Sequence, residues 1–132
     1  MSAAPDAGFS HRLQADGAYD HDVFTFLALE LGNAVIDEAY AAFVQDTRDR
    51  LRALDLLALY DSRLAIARHA HVLVGTAGLF GFPRLARRAR DLEQASPLIS
   101  QAEYRKELTQ LQAAFARGQA DRCAAICGGS LA

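Results

Sequence analysis

Two histidines, His69 and His71, stand in the stretch Arg68 to Gly81, which reads RHAHVLVGTAGLFG. An imidazole can serve as nucleophile, proton carrier or metal ligand, and its surroundings decide which. The same stretch places Gly75, Gly78 and Gly81 in an otherwise helical pattern. An interior helical glycine costs about 1 kcal/mol relative to alanine, so three of them need a reason, and close approach of another surface is a common one. At about 100° per residue, His71 points about 135° away from the apolar stripe of its helix, toward solvent. Leu64, Ala67, Arg68, Gly75 and Gly78 fall near it on the same side. An exposed imidazole beside a turn bare of side chains suits a group carrier, because a partner's site can reach the ring and close on the backbone. An exposed histidine alone is commonly just a surface residue; the glycines carry the argument. His69 falls about 65° from the core direction, a boundary position where its ring packs.

The other reactive side chains are Cys123 and Cys127. Two thiols make no disulfide framework. Their spacing can put both on one helical face, but no nearby His or Cys supports them, so they read as small, semi-buried packing residues and no metal site is expected.

The elements that must position His71 are helices, since the apolar residues recur at three- and four-residue spacing and no strand alternation appears. A short first helix is expected from Val23 to Leu31, with Asp22 as its cap and Gly32 as its stop. A second runs from about Ala34 to Leu54 on a stripe of Ile36, Ala39, Phe43, Thr47, Arg50 or Leu51, and Leu54. A third, from about Leu57 to Leu79, carries Leu59, Ile66, Ala70, Leu73, Ala77 and Phe80. A fourth begins near Pro83, a residue favoured at the first helical position, and buries Leu85, Ala89 and Leu92 before Pro97. A fifth follows Ser100, which forms a capping box with Glu103, and buries Tyr104, Leu108, Leu111 and Phe115. It ends either at Gly118 or near Cys127. Short connections and single apolar stripes imply an all-α, up-down antiparallel four-helix bundle with a short additional N-terminal helix. Residues 1–20 read as a flexible tail and residues 21–132 as the bundle domain.

With these residues in place, His71-Val72-Leu73-Val74-Gly75 resembles the His-x-Leu-Lys-Gly signature of histidine-containing phosphotransfer (HPt) domains. The likeness continues through Thr76, Ala77, Gly78, Leu79, Phe80 and Gly81, and then through Leu85, Ala89, Leu92 and Glu93. The stretch Gly78 to Phe82 also looks like the phosphoacceptor domain of chemotaxis kinases. The specific part covers about twenty-five residues, with helix order and length extending it more weakly over the rest. The resemblance implies a phosphorelay carrier without kinase activity of its own. His71 would accept a phosphoryl group from a receiver-domain aspartate and pass it to another response regulator. The implied partners are receiver domains and a hybrid histidine kinase. Magnesium and the acidic pocket would belong to the receiver, so neither a cofactor nor a metal is expected here. Glu93 matches the family position that holds the second imidazole nitrogen and would orient the ring. Where the family has lysine, this chain has Val74. Arg68, three residues before His71, and Arg90, one turn before Glu93, are the candidates to supply that positive charge. Leu64, Arg68, Val74, Gly75, Gly78 and Arg90 form the expected partner-binding set. An imidazole ordinarily titrates near about 6.5, so its neutral, nucleophilic form dominates at neutral pH.

Bulk properties agree with this class and exclude others. The 132 residues are 52% hydrophobic and 23% charged, enough for one core and too apolar for a disordered chain. A net charge of −2 gives no reason to expect nucleic-acid binding, although Pro83 to Arg90 is locally basic and reads equally as a steering surface or a solvated face. No run reaches the roughly 18 apolar residues of a membrane span, so a cytoplasmic protein is the expectation, and the resemblance implies a monomer. The competing reading is a degenerate HPt-fold module that docks a receiver or kinase without being phosphorylated. A purely structural bundle leaves the glycines without purpose, and a metal- or cofactor-binding bundle lacks the facing Glu and Glu-x-x-His sets.

Overall fold

The computed structural model describes residues 17–131, with side chains described through Cys127. Within them five α-helices follow one another: α1 (His21–Leu31), α2 (Asn33–Leu56), α3 (Arg63–Leu79), α4 (Pro83–Ala95) and α5 (Gln101–Leu131). No strand occurs among the described residues. Helix α3 packs on α4, α4 on α5, and α2 touches both α3 and α5, closing a four-helix bundle against which α1 leans through α2. The fold is all-α, as the periodicity predicts.

Each helix has a local cause. At α1 the cap is Asp20, whose carboxylate accepts from the Asp22 backbone N–H at 3.0 Å. This corrects the expected cap, Asp22, which lies inside the first turn where an acidic side chain suits the helix dipole. Gly32 ends α1 at φ 87°, a conformation only glycine adopts cheaply, and α2 starts at the next residue. Ile36, Phe43, Thr47, Leu51 and Leu54 then form the buried stripe of α2. Leu51, not Arg50, takes the inner position.

Helix α3 starts at Arg63, later than the apolar pattern alone indicates. Leu57 is extended and a short 3-10 turn, Leu59–Asp61, rounds the corner. Leu59 is buried from that turn rather than from a helix. Periodicity ran on because Leu54, Leu57 and Leu59 all face the core, yet an antiparallel neighbour requires the chain to reverse there. The exposed end of α2 is closed from α5: the Tyr104 hydroxyl donates to the Leu54 carbonyl, and Arg105 donates to the Asp55 carbonyl and carboxylate. These bonds occupy carbonyls that no residue of α2 itself can satisfy.

The core follows the stripes. Ile66, Ala70, Leu73 and Ala77 of α3 meet Leu85, Ala89 and Leu92 of α4, all fully buried, with Tyr104, Leu108 and Leu111 of α5 behind them. Burying each leucine contributes about 1.5–3 kcal/mol relative to exposure. Pro83 opens α4, and Arg63 caps its far end by donating to the Ser96 and Ile99 carbonyls at 2.7 and 3.0 Å. The Ser100–Glu103 capping box forms in both directions, at 3.0 and 3.2 Å. Helix α5 runs on through Gly118 to Leu131. At Gly118 a methyl group would run into the Phe82 ring and the Ala18 carbonyl oxygen, so the glycine makes room for the α3–α4 turn and the N-terminal leader.

That leader departs from the expected tail. Residues 1–16 lie outside the described residues. Residues 17–20 are seated on the body: Ala18 is buried, the Arg84 N–H donates to the Gly17 carbonyl at 2.9 Å, and the Asp20 N–H donates to the Gly81 carbonyl at 2.8 Å.

Candidate functional site

His71 lies midway along α3, on the side opposite Ala70, Leu73 and Ala77. Its side chain is 75% exposed. The antiparallel run of α4 brings Glu93 beside it, and the imidazole Nδ1 lies 2.9 Å from Glu93 Oε2. Glu93 is half-buried between the two helices. A carboxylate at that distance accepts the Nδ1 proton and so favours the tautomer with a lone pair on Nε2. The ring is therefore oriented and open to a partner at its far nitrogen.

The face around it is bare. At both Gly75 and Gly78 an added Cβ would meet nothing within 4 Å. Neither glycine is needed for packing within the chain. Leu64 stands two turns before His71 and is 65% exposed. Arg68 and Arg90 are exposed, and neither is paired with a carboxylate among the described residues. Val74 lies differently. It is half-buried and packs against the core cluster, on the flank of the face rather than on it. Helical phase explains this, since Val74 is rotated about 60° from His71 toward α4.

His69, two residues earlier, faces α2. Its Nδ1 lies 3.2 Å from an Arg50 nitrogen, and Arg50 is itself bound to Asp46 at 2.9 Å. Burial, and then the Arg50 guanidinium, hold its imidazole below the ordinary histidine range, against the opposing pull of Asp46. The two histidines are thus unlike: one is spent on the α2–α3 contact, the other presented.

Sequence reasoning did not single out α1. None of its residues is fully buried, and Phe26, Leu29 and Leu31 are exposed. Val23, Phe26 and Leu27 line a groove with Gly78 and Leu79, at the C-terminal end of the His71 face. The signal was present in VFTFLALEL, whose apolar residues exceed one stripe. Cys123 and Cys127, read as semi-buried packing residues, are instead exposed. The cause is their phase on α5: Phe115, Gly118 and Arg122 face the neighbouring helices, and both cysteines are rotated away from that side.

The fold and this geometry define a helical bundle that presents one oriented histidine. The chain belongs to the Hpt domain family, whose model matches residues 38–121, from the first turns of α2 to well along α5. That span includes both His71 and Glu93. Hpt domains are the phosphotransfer modules of two-component signalling, and in general carry phosphoryl groups without kinase activity. No curated protein and no solved structure matches the chain. No described helix is long and apolar enough to cross a membrane.

Proposed function

We propose that this protein is a phosphorelay carrier that accepts a phosphoryl group on His71 Nε2 from the aspartyl phosphate of a receiver domain and passes it to a second response regulator. The observation that carries this reading is the 2.9 Å contact between His71 Nδ1 and Glu93 on an otherwise bare helix face. In the forward step the Nε2 lone pair attacks phosphorus, the bond to the aspartate oxygen breaks, and the aspartate leaves as carboxylate. The proton on Nδ1 stays in place. The ring thereby gains positive charge, and Glu93 stabilises it while fixing the ring plane. The remaining catalysis is positioning and charge stabilisation supplied by the receiver.

The docking surface would be the strip Leu64, Arg68, Gly75 and Gly78, extended at one end by Phe26 and Leu79. Receiver backbone would approach along the glycines. Arg68 and Arg90 would face the incoming phosphoryl group in place of the lysine that Val74 replaces. The partners are receiver domains and a hybrid histidine kinase, and the carrier works as a cytoplasmic monomer. Residues 17–132 form the working domain, with residues 1–16 preceding it.

The test is phosphoryl transfer to the purified chain from phosphorylated receivers, beside His71→Ala and His69→Ala. Acid-labile label lost in His71→Ala and kept in His69→Ala is the expected result. Label that survives His71→Ala overturns the assignment. Gly75→Arg is expected to leave the helix content unchanged and to block transfer. A second reading is motivated by Val74: a docking module that binds receivers without being phosphorylated. Receiver binding with no label from any donor would favour it.

A further inference from the structure

The α4–α5 side of the bundle carries a cleft that the His71 face does not use. It holds about 590 Å3 and is formed by the last turns of α4, the connection after it and the first turns of α5. That volume falls in the roughly 300–1,000 Å3 range of ligand clefts. Helical phase sets it on the other flank of α4 from Glu93, since Asp91 is rotated about 160° from Glu93.

The walls of the cleft differ in character. Pro97 and Leu98 make an apolar end, and Leu98 is 93% exposed. Asp91, Glu103 and Glu107 bring carboxylates to the rest, against the single ammonium of Lys106. Glu103 is committed to the capping box with Ser100. Asp91 and Glu107 form no ion pair among the described residues. One carboxylate oxygen of Glu107 is enclosed, and no donor among the described residues reaches it. A buried acceptor without a donor costs free energy that an incoming N–H recovers. The apolar end is held in place, because Arg63 donates to the Ser96 and Ile99 carbonyls on either side of it.

We propose that this cleft docks a short basic segment of a partner protein. An arginine or lysine of that segment sits between Asp91 and Glu107, and an adjoining apolar side chain covers Pro97 and Leu98. Charge complementarity fixes the sign of the occupant, since three carboxylates face one ammonium. A guanidinium suits the site because its fork of donors can serve two carboxylates at once. The apolar end selects a peptide over a simple cation, which would leave Leu98 in water. A segment seated here leaves the His71 imidazole uncovered.

The experiment titrates the isotope-labelled full chain with an acetylated hexapeptide of alternating leucine and arginine, read by amide chemical shifts. Saturating shifts confined to the amides around Gln94, Leu98 and Glu107 are the expected result. Glu107→Gln and Asp91→Asn should each weaken binding about fivefold, and Leu98→Ser about threefold, while circular dichroism keeps the helix signal. A matching peptide of leucine and glutamate should leave the amides unmoved. Equal affinity in the parent, Glu107→Gln and Asp91→Asn overturns the proposal, as do shifts centred on His71. The same saturating shifts from spermidine alone overturn it in favour of a small-cation site. Shifts of these amides on raising the chain concentration without peptide overturn it in favour of a second copy. None of these readouts depends on phosphoryl transfer.

Discussion

An imidazole is a nucleophile only at the nitrogen that gives up its proton, so the reactivity of His71 turns on the bond its other nitrogen makes. Glu93 supplies that bond at 2.9 Å. Replacing Glu93 with alanine should slow phosphoryl transfer roughly fivefold, the equivalent of about 1 kcal/mol for a partly screened hydrogen bond, with Glu93→Gln falling between. Single-turnover transfer rates check this, and equal rates for all three proteins would remove Glu93 from the mechanism. His69 gives a different prediction. Its imidazole is held below the ordinary range, so the unfolded chain binds the proton more readily than the folded one. Stability then rises with pH between the depressed folded value and the unfolded value near about 6.5, and is lost as pH falls through that window. His69→Gln should flatten this loss in urea unfolding at neutral and mildly acidic pH. An unchanged pH slope would show that another group sets it. The contrast between the two histidines was legible in helical phase, which put His71 outward and His69 at the boundary. The Arg50 partner of His69 was not, because it comes from another helix whose rotation the sequence does not fix.

Helix α3 accepts a local weakness that its own packing does not require. Gly75 and Gly78 have open space where a Cβ would stand. Gly75→Ala and Gly78→Ala should therefore each raise stability, by about 0.5–1 kcal/mol. Urea midpoints measure the gain, and transfer assays on the same variants show whether even a methyl group hinders docking. Ser100→Ala should cost about 1 kcal/mol, because it removes the hydroxyl half of the capping box on α5. A midpoint unchanged from the parent would mean that the α4–α5 connection fixes the helix start without it. The capping box, Gly32 and Pro83 could be read from the sequence because each acts on its own neighbours. The start of α3 could not, because the corner at residues 57–62 is imposed by the partner helices. Nor could the fate of Gly118, since the group that fills its space is the Phe82 ring from across the bundle. Val74 lies about 60° round α3 from His71, half-buried on the flank of the face, a position that helical phase alone indicates.

At the scale of the molecule, the α3–α4 turn is where most elements meet. Gly81 has φ 78°, and a Cβ there would lie 2.7 Å from the Asp20 carbonyl oxygen and 3.1 Å from Val23 Cβ. Gly81→Ala should lower stability by about 1–3 kcal/mol and loosen α1 as well. Thermal melting checks the first effect and proteolysis within α1 the second; an undisturbed α1 would show that the turn and the helix are held separately. The notch at Gly118 carries this connection further. It receives the Phe82 ring and the Ala18 carbonyl together, so a segment near the start of the chain, the middle turn and the last helix share one contact. Such a contact cannot open piecemeal. In hydrogen exchange the Asp20 and Arg84 amides, bonded to Gly81 and Gly17, should exchange at the rate of global unfolding rather than as a fraying end. A partner that levers α1 away from the body would then be working against the cooperativity of the whole bundle.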